Sequence, residues 1–214
     1  MIEIKKFAFN PVEENTYVLY DETKECVIID AGCYFGEEEK ALSQFINDKG
    51  LKPVMLINTH CHFDHLLGVN YCREKYQIPF YSHQSDDIFI ENIVSQGRSF
   101  GFQIRAIESP DHHIEDSDTI SFGNSSLEAI HVPGHSAGSI VFYSSSHKFL
   151  MSGDVLFYGS IGRTDLPGGS YDTLITNIAE KLLTLPDDTI VYPGHGPKTT
   201  IGFEKQNNPF LTDL

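Results

Sequence analysis

The chain has 214 residues, 40% of them hydrophobic and 21% charged, which suits one globular domain spanning 1–214 and is too apolar for a disordered chain. Its 30 acidic residues against 15 basic ones leave a formal charge of −15. That balance argues against nucleic acid, whose phosphates need clustered Lys and Arg, and mildly against an anionic membrane surface.

The N-terminal MIEIKKFAFN lacks the apolar core and small-residue cleavage pattern of a secretory signal, and no apolar run approaches the length of a membrane span. Cys26, Cys33, Cys61 and Cys72 show no CxxC pairing, so reduced thiols in a cytoplasmic protein are expected.

In chain order, the alternation from Ile2 to Phe9 predicts a strand, followed by strands over Thr16–Asp21 and Cys26–Asp30. Ala41, Leu42, Phe45 and Ile46 recur at helical spacing, predicting a helix over 36–47. Pro53 opens the buried strand VMLIN, which ends at Thr59 and runs straight into HCHFDH. Helices are expected over Leu66–Tyr76 and Gln84–Gln96, with a short strand between them at Pro79–Ser82. Residues 97–116 carry weak periodicity and a DHH cluster. Four short strands then follow, DTISF, LEAIHV, SIVFY and KFLMS, and after them a helix over Tyr171–Leu185 and a last strand TIVY that leads into PGHGP. Two packed sheets with helices outside fit this order.

The chemistry is concentrated just after the predicted strands. His60, His62, Asp64 and His65 pack three imidazoles and a carboxylate into six residues. His60 and His62, two apart, could aim at one cation, while Asp64 and His65, at the start of the following helix, could aim at a second. Imidazole nitrogen with carboxylate oxygen suits zinc, iron or manganese, and the lack of thiolates argues against a structural zinc knuckle. A polar loop of surface histidines would not account for three more such residues at Gly- or Pro-rich strand ends: His135 in PGHSAG, Asp154 in SGDVLF and His195 in PGHGP. Cys61 reads as a packing thiol pointing away from the ligand face. His83, His112, His113, His131 and His147 read as loop or strand-end residues, of which His112 and His113 could line a substrate mouth.

HCHFDH, the two Pro-Gly-His turns, the Gly-Asp and the early VIIDAG together resemble the metallo-β-lactamase superfamily across the whole chain. SIGRTDLPGGSYDTL and YPGHGPKTTIGFEKQNNPFL are most similar to its short, single-domain glyoxalase II-like hydrolases. The resemblance implies an α/β fold, a four-layer αββα sandwich of two mixed sheets with helices outside and metals at one edge. It implies one divalent ion on His60, His62 and His135, a second on Asp64, His65 and His195, and Asp154 bridging them. Zinc is the expected metal, with iron or manganese as alternatives. Asp30 would support the metal loop from behind. Asp64 and Asp154 are the candidate catalytic carboxylates, around a water that the metals activate to attack a carbonyl carbon.

The implied substrate is a small-molecule thioester such as S-D-lactoylglutathione, with Tyr158, Arg163 and Lys198 as candidate contacts. The chain ends soon after His195, without the helical C-terminal segment that contributes glutathione contacts in longer glyoxalase II enzymes. A mononuclear-iron persulfide dioxygenase and a non-enzymatic binding or sensing protein are the rival readings on the same fold. A secreted β-lactamase is disfavoured by the N-terminus and by the Asp64–His65 pair.

Overall fold

A computed structural model describes residues 1–212. The first half of the chain forms β1 (Glu3–Phe9), β2 (Glu14–Tyr20), β3 (Glu25–Ile29), α1 (Gly36–Lys49), β4 (Lys52–Ile57), α2 (Val69–Tyr76), β5 (Phe80–Ser82), α3 (Asp87–Glu91), α4 (Ile93–Ser99) and β6 (His112–His113). Its strands make one six-stranded sheet in sequence order, antiparallel from β1 to β3 and parallel from β3 to β6. The second half supplies β7 (Thr119–Phe122), β8 (Ser125–His131), β9 (Ile140–Ser144), β10 (Phe149–Gly153), the hairpin β11 (Leu156–Phe157) and β12 (Ser160–Ile161), α5 (Tyr171–Asn177), β13 (Ile190–Pro193), β14 (Thr199–Thr200) and α6 (Ile201–Asn207). Here the order is β14-β13-β10-β9-β8-β7, with β10 and β13 parallel.

The period-2 alternation of strands sorts the apolar residues into three cores, and three cores make four layers. On β2, Tyr17 and Leu19 enter the central core, where they meet Phe122, Leu127, Phe142 and Met151 of the other sheet. Their neighbours Val18 and Tyr20 enter the outer core, with Leu42 and Ile46 of α1 and Val69 and Cys72 of α2. Likewise Val141, Leu150 and Val191 turn outward to Leu174 of α5 and Ile201 of α6. This is the αββα sandwich.

Several boundaries depart from the sequence expectations. The helix expected from Leu66 starts at Val69, because a separate 3-10 turn occupies Phe63–His65; Asp64 and His65 therefore sit on that turn, not on the helix. The helix expected over Gln84–Gln96 is a 3-10 turn followed by two helices that break at Asn92, whose side-chain amide donates to the Ile88 carbonyl. The helix expected to reach Leu185 changes after Asn177 into a π-helical segment, Ile178–Leu182, which keeps Ile178 and Leu182 buried. No helix among the described residues is long and apolar enough to cross a membrane.

One buried carboxylate ties the two sheets at the end away from the histidines. Asp21, after β2, accepts Thr23 N–H (2.9 Å), Thr23 Oγ1 (2.6 Å), Asn124 N–H (2.7 Å) and Ser125 Oγ (2.8 Å) from the β7–β8 turn. Burial raises its pKa, but these hydrogen bonds outweigh it and hold the carboxyl at about 2. The folded value lies below the unfolded one, about 3.9. The stabilisation is therefore complete above pH ~4 and is lost as pH falls through ~2. Asp21→Ala is expected to cost about 2–3 kcal/mol at neutral pH. Thermal melts at pH 7 and pH 3 should show the gap to the unsubstituted chain narrowing in acid, and an unchanged gap would refute this account.

Candidate metal centre

The His and Asp clusters meet at one edge because β4, β8, β10 and β13 all end there. His60, His62, Asp64 and His65 follow β4; His135 follows β8, Asp154 follows β10 and His195 follows β13. All but His195 are nearly or fully buried. Among the described residues four groupings of potential ligand atoms result: His60 with His62 and His135, Asp64 with His65 and His195, His60 with His65 and Asp154, and, behind His65, Glu14 with Asp30 and His65.

Within the first group, His135 Nε2 lies 2.9 Å from His62 Nδ1 and 3.2 Å from His60 Nε2. Within the second, His195 Nε2 lies 3.1 Å from Asp64 Oδ2. The Asp154 carboxylate stands between them. Its Oδ2 is 3.6 Å from His135 Nε2 and 3.7 Å from His195 Nε2, and its Oδ1 is 3.5 Å from His65 Nε2.

The surrounding hydrogen bonds fix which nitrogens carry lone pairs into the cluster. Thr59 Oγ1 donates to Asp30 Oδ2 (2.7 Å), so towards His60 Nδ1 (3.1 Å) it can only accept, leaving His60 Nε2 unprotonated in the neutral ring. His135 Nδ1 donates to the Arg163 carbonyl (2.8 Å), and His195 Nδ1 to that of Val12 (3.1 Å), with the same result. His62 turns Nδ1 towards His135, and His65 Nε2 and Asp154 Oδ1 are buried without partners. Converging lone pairs and carboxylate oxygens repel one another unless a cation lies between them. The donor set therefore fits divalent metal ions.

The electrostatics divide along the same line. Burial, reinforced by neighbouring imidazoles, pushes His60 well below the ordinary histidine range and takes His62 to about 3, so both stay neutral, as ligation requires. Around Asp154 burial raises the carboxyl, but His65, His195 and His135 outweigh it and hold it low. For His65 burial works downward, and Asp64, Asp154 and Asp30 overcome it and raise the imidazole.

The loops are held by buried polar residues, of which Asp30 was expected from the resemblance and the others were passed over. Asp30, at φ +52°, accepts both Thr59 N–H (2.7 Å) and Thr59 Oγ1, and stands 3.2 Å from His65 Nδ1. Asn58 Nδ2 donates to the carbonyls of His60 (3.1 Å) and His65 (2.9 Å). Asn15 Nδ2 and Tyr17 Oη both donate to the Pro193 carbonyl, pinning the loop of His195. Gly194 must be glycine, since a Cβ there would overlap Asp154 Oδ1. Glu14, fully buried behind His65, accepts Thr16 Oγ1 (2.8 Å), and burial pushes its carboxyl up. The available signal was a polar residue inside an apolar strand, as in ENTYVLY and VMLIN.

Asp86 joins two ligand loops. Its Oδ2 accepts Cys61 N–H (3.0 Å), between His60 and His62, and Ser136 Oγ (2.8 Å), next to His135; its Oδ1 accepts Gly138 N–H (2.7 Å). Asp86→Asn would set an amide against a backbone N–H at either oxygen. Both Asp86→Asn and Asp86→Ala are expected to weaken metal binding by about 10–100-fold, measured by competition with a chromogenic chelator. Unaltered affinity would show that Asp86 does not position these loops.

Other candidates fall elsewhere. Arg163 lines the cavity over the cluster, and its guanidinium is bidentate to Asp165 (2.8 Å twice). Tyr158 and Lys198 do not reach that cavity. The β11–β12 turn carries Tyr158 out onto Phe203, where the rings stack at 4.8 Å, and Lys198 lines the same separate depression. His112 and His113 lie on exposed β6, away from the mouth, with His113 Nε2 3.0 Å from Asp87. Cys61 is buried in the outer core.

The model of the metallo-β-lactamase superfamily matches residues 10–195. The chain belongs to that superfamily and is a metallo-hydrolase of it. It is 37% identical over 201 residues to hydroxyacylglutathione hydrolase GloC of Haemophilus influenzae, covering 93% of each chain. Among solved structures it is similar to the BLEG-1 B3 metallo-β-lactamase, with a TM-score of 0.91 and 39% identity over 98% of this chain and 100% of that one. It is also similar to TTHA1623 in a di-iron-bound form, with a TM-score of 0.86 and 37% identity over 97% of this chain and 100% of that one.

Proposed function

We propose that the chain is a binuclear metal-dependent hydrolase of the glyoxalase II type that cleaves a small-molecule thioester such as S-D-lactoylglutathione in the cytoplasm. The observation that carries this reading is the pair of ligand triads meeting at Asp154 beside an open cavity. His60, His62 and His135 would hold one ion and Asp64, His65 and His195 the other, with Asp154 shared. The di-iron relative supports two ions, and the all-nitrogen-and-oxygen donor set suits zinc, iron or manganese. Such ions supply Lewis acidity towards a carbonyl oxygen and a lowered pKa for water.

The chain's own part is to orient. Thr59 and the Arg163 carbonyl hold the imidazoles of His60 and His135 in the ligating tautomer, and Val12 does so for His195. Asp64, 3.1 Å from His195 Nε2, is placed to ligate or to accept a proton from water at the cavity floor. The GloC relationship supports a thioester, while the BLEG-1 likeness favours a second reading, a β-lactam amide.

A metal count on protein purified without added metal, combined with a substrate panel, tests the proposal. About two divalent ions per chain and hydrolysis of S-D-lactoylglutathione are expected. A single iron, with oxygen consumed in the presence of glutathione persulfide, would overturn it in favour of a dioxygenase. Turnover of a chromogenic cephalosporin without thioester cleavage would favour the second reading.

A further inference from the structure

We infer that the site prefers a thioester whose acyl group is an uncharged, apolar chain over one on an anionic carrier. This rests on the hydrolase reading above. The cavity over the ligand cluster, about 510 Å³, is large enough for a small-molecule substrate. Its wall is built mainly from Phe63, Ile88, Phe89, Phe100, Leu166 and Pro167, with the amides of Asn92 and Gln96 between them donating to the Ile88 and Phe89 carbonyls. Ile88 and Phe100 are 55% and 52% exposed there, large apolar side chains left facing solvent next to a reactive centre. An exposed apolar patch in such a place marks a surface that a ligand covers.

The wall is also packed from behind. Phe100 stacks on Phe63 at 4.6 Å, Phe63 packs on Phe102, and Ile93 is buried below. The apolar surface begins one ring away from the ligands, because Phe89 packs edge-on against His62 at 4.9 Å. That is where the chain attached to a thioester carbonyl would lie. Biological thiol carriers place polar amides within a few bonds of sulfur, so the part of the substrate that suits this wall is the acyl chain.

Charge points the same way. A glutathione carrier brings two carboxylates, which call for basic partners. Among the described residues Arg163 is the one Lys or Arg lining the cavity, and its exposed guanidinium is paired with Asp165. Lys198 faces the separate depression. In the reaction, water oxygen bonds to the acyl carbon and the C–S bond breaks with its electron pair on sulfur. The products are a carboxylate, a thiol and one proton.

The test uses the metal-loaded protein and N-acetylcysteamine thioesters with acetyl, butyryl, hexanoyl and octanoyl groups, alongside hexanoyl-glutathione. Each buried methylene is expected to raise kcat/KM by roughly threefold, so hexanoyl should exceed acetyl by at least about tenfold. Hexanoyl-glutathione should react no faster than its uncharged counterpart. In the Ile88→Asn/Phe100→Ser double variant the hexanoyl-to-acetyl ratio should fall at least about fivefold. A ratio below tenfold in the unsubstituted protein, or a tenfold preference for the glutathione thioester, overturns the inference while leaving the hydrolase reading intact. Failure to cleave any thioester overturns both.

Discussion

Asp154→Ala should lose bound metal from both triads and at least about a thousandfold in kcat/KM towards its best thioester. The reason is position: its two oxygens lie within 3.7 Å of His65, His135 and His195, so both triads lose a shared anion at once. A full complement of two ions in the variant would remove Asp154 from its bridging place. Substitution at Arg163 gives the contrast. Its carbonyl, not its side chain, holds His135, so Arg163→Ala should keep its metal.

The second large effect concerns stability. Stripping the metal leaves buried imidazoles and carboxylates without the cation that joins them, and polar groups buried without full pairing are costly. At an ion concentration a thousandfold above Kd, ligation of the native state contributes about 4 kcal/mol by mass action. For a chain of this length that corresponds to a Tm higher by roughly 10 °C. Scanning calorimetry of chelated and reloaded protein measures the shift. Equal Tm values in the two forms would contradict a metal site built into the native fold.

Much of the site was legible because ligation needs scarce residue types at particular places. Three His and an Asp at the end of VMLIN, and single ligands beside Gly at three later strand ends, are hard to mistake for surface chemistry. The sandwich was legible from the order of strands and helices and from the family resemblance that the ligand motifs carry. What escaped was decided by tertiary contact. Asp86 looks like an exposed helix-start acid, and its role exists only because Cys61, Ser136 and Gly138 converge on it. Tyr158 and Lys198 follow metal-bearing segments in sequence, yet the β11–β12 turn and the approach to β14 carry them aside. Residues 97–116 showed little period because Phe102, Ile104 and Ile107 pack singly onto the outer core from an irregular stretch.

The division of the ligands between the two halves of the chain has a mechanical consequence. Each triad takes two members from the loop after β4 and its third from the second half, His135 in one case and His195 in the other. Neither half alone holds either of these two triads, so an ion seated there would act as a rivet across the seam between the sheets. Removing it should loosen that edge before any other, and amide exchange near Pro193–Gly196 should quicken first while the seam around Asp21 stays closed. The metal that serves the chemistry would then also keep the two halves of the molecule joined.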